Sequence, residues 1–126
     1  MLDIERQITR LKIGAAEDWE VACDLVNQGK VRHGLFFTHL TLEKILKAVI
    51  SKKIQQLAPR IHNLIRLAEL TSLELDQKVI DLLSEINVFN IEGRYPESFI
   101  PHPSIKEAKD YIVRAEEVYQ WLINQL

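Results

Sequence analysis

The chain predicts an all-α fold, an antiparallel up-down bundle of four long helices plus one short one. Apolar residues recur at three- and four-residue steps along nearly its whole length. No stretch alternates apolar and polar long enough to suggest a strand. Breakers are scarce: of four glycines and four prolines, three prolines fall in the one stretch Phe89 to Pro103. Proline fixes φ and removes a donor, so that stretch interrupts the helical pattern as an irregular surface loop.

Each element follows from its own pattern. Ile4, Ile8, Leu11, Ala15, Ala22 and Leu25 form the stripe of the first helix, and Gly29 is placed to take a left-handed angle past its end. In the second helix Val31, Leu35, Thr38, Leu42, Ile45 and Val49 make the inner face. Gln55 to Pro59 reads as a turn, followed by a short helix from about Arg60 to Leu70 that sends Leu64, Leu67 and Ala68 inward. Thr71-Ser72-Leu73-Glu74 matches a capping box, opening a fourth helix with the stripe Leu75, Val79, Leu82, Ile86 and Phe89. Ser104-Ile105-Lys106-Glu107 is a second capping box. The last helix carries Ile105, Ala108, Ile112, Ala115, Tyr119, Leu122 and Leu126 at heptad-like spacing.

Composition narrows the function classes. The 126 residues suit a single domain spanning 1–126, and 47% apolar with 27% charged residues is the balance of a globular protein. A net charge of −2 argues against a whole-surface nucleic-acid binder, so such contact would need a local patch. The single cysteine, Cys23, excludes an internal disulfide and suits a reducing cytoplasm. No Cys/His spacing supports a zinc site. Acidic residues interrupt the N-terminal stretch, which therefore does not read as a signal peptide, and no window is apolar enough for a membrane span. Gly-rich phosphate loops, His-Glu-x-x-His and Gly-x-Ser-x-Gly are all missing.

Two places hold side chains with chemistry. Projected at about 100° per residue, Arg32, Phe36, His39, Glu43 and Lys47 fall within a sector of roughly 60° beside the apolar face of the second helix. The plain expectation is a solvated flank, with Glu43 and Lys47 as an i, i+4 ion pair and His39 hydrogen-bonded to Glu43. The sharper one is a groove or interface marked by Phe36, in which Glu43 fixes the His39 tautomer and raises its pKa. In the proline loop, Arg94 suits a phosphate and Tyr95 a base, both beside Pro96, with His102 further on. Arg94 and Tyr95 are equally placed to cover the end of the bundle. His62 is expected to fix the turn after Pro59.

The segments H-G-L-F-F-T-H-L-T-L-E-K-I-L-K-A-V-I (33–50), I-H-N-L-I-R-L (61–67) and F-N-I-E-G-R-Y-P (89–96) resemble the HEPN domain family in order and spacing. They match its Glu-Lys pair followed by Lys-Ala, its His-x-Leu helix start and its Arg-Tyr-Pro segment. The resemblance implies a bundle that dimerises and is associated with nucleotide binding. Family members are often encoded beside a minimal nucleotidyltransferase, as a two-component or toxin–antitoxin pair. Together with the reading of the residues above, Arg94, Tyr95, His39, Glu43 and Lys47 are the candidate ligand contacts, with Tyr95 a candidate for modification by the partner enzyme. A subset of the family are metal-independent RNases with an Arg and a His separated by four to six intervening residues. Here Arg94 and His102 have seven residues between them, including two prolines, whereas Arg32 and His39 have six and share a helix face. The leading expectation is a homodimeric nucleotide- and partner-binding subunit that needs no cofactor, ATP being one candidate ligand. The alternatives are an RNase using Arg32 and His39, with RNA as substrate, and a purely structural dimerisation module built around Phe36.

Overall fold

The computed structural model describes residues 3–92 and 103–126, and all its regular structure is helical. The elements are α1 (Ile4–Asn27), α2 (Val31–Ile54), α3 (Leu64–Leu70), α4 (Gln77–Asn87), α5 (Phe89–Glu92) and α6 (Ile105–Ile123). Asp3 caps α1 by accepting from the Arg6 amide at 3.0 Å. At the other end Gly29, with φ +80°, makes the turn that the sequence assigns to it. Its N–H donates to Val26 O and that of Lys30 to Leu25 O, the paired bonds of a Schellman motif.

Helix α2 is the axis of the molecule, packed against α1, α3, α5 and α6. Leu35, Leu42, Ile45, Leu46 and Ile50 are all enclosed, so apolar burial runs around more than one face of this helix. Thr38 and Thr41 are buried too, and each donates its hydroxyl to the carbonyl four residues back, at 2.9 Å. Gly34 marks where α1 and α2 approach most closely. A Cβ there would lie 2.5 Å from Val26 Cγ2 and 3.1 Å from Ala22 O.

Three boundaries differ from the sequence expectation. Helix α3 begins at Leu64 rather than near Arg60, because Asn63 accepts from the Ile65 and Arg66 amides as its N-cap. His62 therefore stands outside the helix. The capping box expected at Thr71–Glu74 is not formed. Thr71 instead closes α3, its hydroxyl donating to Ala68 O at 2.6 Å and accepting from the Leu73 amide. Asp76 caps α4 through the Val79 amide. Phe89 falls beyond the end of α4 and opens the short α5, though it is buried as expected. The Ser104–Glu107 capping box is present with both reciprocal bonds at 3.0 Å. Arg114 of α6 forks onto Glu85 of α4, with Nη2 to Oε2 at 2.7 Å, and lies over the Tyr111 ring. Among the described residues no helix is long and apolar enough to cross a membrane.

Candidate functional site

The flank of α2 singled out by its spacing is not solvated. His39 is 0% exposed and Glu43 6%, so the polar stripe turns into the protein, beneath the start of α3. Glu43 Oε2 receives Lys47 Nζ and His62 Nδ1, each at 3.0 Å, while Oε1 lies 3.6 Å from His39 Nδ1. Asn87 completes the joint from α4 by accepting the Leu64 amide at 2.9 Å. One buried carboxylate thus links two turns of α2 to His62, just before the N-cap of α3. Lys44, its sequence neighbour, points the other way to Asp18 of α1 at 2.6 Å. The Glu-Lys pair therefore joins α2 to its partners on two sides.

Electrostatics follow from this enclosure. Burial pushes the His39 pKa down to about 4, and the upward pull of the Glu43 carboxylate, with the smaller effect of Asn87, does not offset it. Glu43 does pull the His39 pKa upward, as expected, but the net shift is downward. The carboxylate attracts the imidazolium, but desolvation of the ring is the larger effect. Burial alone would raise the Glu43 pKa. Hydrogen bonds from Lys47 and His62, with the Lys47 charge, reverse that and hold it below the usual carboxylate value. Neither His39 ring nitrogen has a partner in hydrogen-bond geometry among the described residues. An imidazole so enclosed does not reach a substrate hydroxyl outside it, and a pKa near 4 makes it a weak base. What this cluster does is hold α2, α3 and α4 in register. Among the described residues no group of three or more His, Cys, Asp or Glu could hold a metal ion.

The open concave surface lies at the N-terminal end of α2. A groove of about 730 Å³ runs between the α1–α2 turn and the start of α6. Lys30, Arg32 and His33 give it three basic side chains, and Leu25, Val31, Phe37 and Ile105 give it apolar walls. Arg32 is half-buried there, as is Phe36, whose ring meets Phe37 edge-on at 5.8 Å between centroids. Of the residues picked from sequence, the structure brings His39, Glu43 and Lys47 together in the core and leaves Arg32 at the groove. Arg94, Tyr95 and His102 lie outside the described residues. Lys30, His33 and Phe37 were not singled out. Their signal was the basic cluster K-V-R-H directly after a helix-ending glycine.

A second groove, about 520 Å³, separates α4 from α6, with Glu74, Asp76, Asp81 and Glu117 at its rim and Trp121 in its wall.

Fold and site together define an all-α bundle with a buried carboxylate–histidine joint and a basic groove. The family model for the HEPN domain matches residues 9–126, and the chain belongs to the HEPN domain family. Its fold is similar to that of TT1696 from Thermus thermophilus, with a TM-score of 0.80 at 15% identity over 95% of this chain and 98% of that one. It is also similar to ST0689, an archaeal HEPN homologue, with a TM-score of 0.72 at 18% identity over 99% and 98% of the two chains. A comparison with curated protein sequences finds no match.

Proposed function

We propose that residues 1–126 act as a single cytoplasmic HEPN domain, a homodimeric subunit that binds a minimal nucleotidyltransferase and a nucleotide such as ATP. The observation that supports a binding role over catalysis is the enclosure of His39. An RNase using Arg32 and His39 needs the imidazole to reach a ribose hydroxyl and to carry a proton near neutral pH. In the fold His39 is sealed under α3 and held neutral, while Arg32 lies about 10 Å further along the same helix. The basic groove beside Arg32 offers a contact surface without a proton-transfer group of that kind.

Co-purification with a minimal nucleotidyltransferase from the same cells, together with ATP titration by calorimetry, tests this function. A stable complex or a saturable heat of binding is expected. Silence in both experiments, or RNA cleavage that persists in EDTA and disappears in His39→Ala, would overturn it.

A further inference from the structure

We infer that the groove at the α1–α2 turn is the docking site for an acidic segment of a protein partner, one that sets an apolar anchor between carboxylates. This inference rests on the partner-binding part of the function proposed above and adds where the contact is made and what chemistry the partner brings.

Three independent features of the groove point to such an occupant. The first is charge. Lys30 and Arg32 stand beside His33 at the start of α2, in a chain whose net charge is −2, so the positive charge here is local. The N-terminal end of the 24-residue α2 adds to it. Asp3, Asn63, Asp76 and Ser104 cap α1, α3, α4 and α6, whereas Lys30 brings no side-chain oxygen to the first turn of α2.

The second feature is an apolar residue out of place. The spacing of α6 assigns Ile105 to the core stripe, yet it is 49% exposed. Its side chain lines the groove with Leu25, Val31 and Phe37 and approaches within 3.5 Å of where a Cβ on Gly29 would stand. An apolar wall inside a basic rim is complementary to an apolar side chain flanked by acids.

The third feature separates a peptide from a nucleotide. A base and a ribose carry many donors and acceptors that need partners once desolvated. Among the described residues the groove has one uncharged polar side chain, Ser104, and its oxygen already accepts the Glu107 amide. The carbonyls of Leu25 and Val26 are taken by the Lys30 and Gly29 amides. Carboxylates and an aliphatic or aromatic anchor ask for little beyond what the groove supplies.

The test uses the full chain and a fluorescein-labelled peptide in which glutamates flank a central leucine and tryptophan, read by anisotropy. A control peptide carries lysines in place of the glutamates. The acidic probe is expected to bind saturably and more weakly as salt rises, and the lysine control not to bind. Lys30→Glu combined with His33→Glu should lower affinity by about tenfold or more. Lys78→Glu, in the groove between α4 and α6, should leave it unchanged. In wild-type protein the amide resonances of Gly29, Lys30 and Ile105 should shift on titration, a readout that does not depend on any variant folding. Equal binding of the two peptides, indifference to the double charge reversal, or shifts centred on α4 would overturn the assignment. Displacement of the probe by ATP at equal concentration would overturn it too, by placing a nucleotide in the groove. Failure of the nucleotidyltransferase to co-purify while the acidic probe still binds would reject that partner and leave the groove standing. A complex insensitive to the double reversal would do the opposite.

Discussion

At His39 the competition between burial and a neighbouring charge decides what the residue can do. Its folded pKa, about 4, lies below the ordinary 6.5, so between those values the unfolded chain binds a proton that the folded chain refuses. Stability is therefore full above pH 6.5 and falls as pH drops towards 4, by roughly 3 kcal/mol in all. Glu43, held below its ordinary value, acts in the same direction at the acidic end of that window. His39→Leu removes the titrating ring and should flatten the fall between pH 6.5 and 4 in denaturant unfolding followed by circular dichroism. An unchanged slope would contradict the assignment. Glu43→Ala strands Lys47, whose side chain is only 15% exposed, and should cost about 2 kcal/mol by the same measurement. The stripe Arg32–Phe36–His39–Glu43–Lys47 was visible from its spacing, but which way it faced was not. Periodicity places residues on one side of a helix and leaves open what covers that side. The covering residues, His62 and Asn87, come from elements 19 and more positions away.

At the scale of elements, the most specific contact is the crossing of α1 and α2. Gly34→Ala drives a methyl group into Val26 and the Ala22 carbonyl, and the backbone on that side cannot yield as a side chain does. A loss of about 2 kcal/mol or more is expected, seen as a lowered Tm. Gly14→Ala meets only the flexible end of Lys44, at 3.3 Å, and should be neutral within about 0.5 kcal/mol or slightly stabilising through helix propensity. The helices themselves were legible because their stripes are long, and Ser104–Glu107 because both reciprocal bonds of its pattern form. Thr71–Glu74 failed for the opposite reason. Asp76, two residues further on, caps α4, while the Thr71 hydroxyl finds the Ala68 carbonyl of the turn just completed. The start of α3 was misplaced in the same way, since Asn63 is a stronger N-cap than anything near Arg60.

For the whole molecule, the function depends on which surface of the bundle meets another molecule. Phe36, half-buried at the basic end of α2, was expected at an interface. If the homodimer forms there, Phe36→Asp should convert it to monomers in sedimentation velocity while leaving the helical circular dichroism spectrum intact. A dimer that survives would place the contact elsewhere on the bundle. The fold as a whole was legible because one pattern repeats through the chain, whereas the groove joins residues near position 30 to residues near 105 and depends on how two helix ends meet. The central claim is that the polar pair on α2 is a sealed joint, on which the proposal of binding rather than cleavage rests. The pH titration of the His39 ring by NMR of isotopically labelled protein tests it most directly. A ring that stays neutral through pH 5 and titrates near 4 is the expected result. A midpoint at or above 6.5, with rapid exchange to solvent, would contradict it and return His39 to the position of a catalytic base.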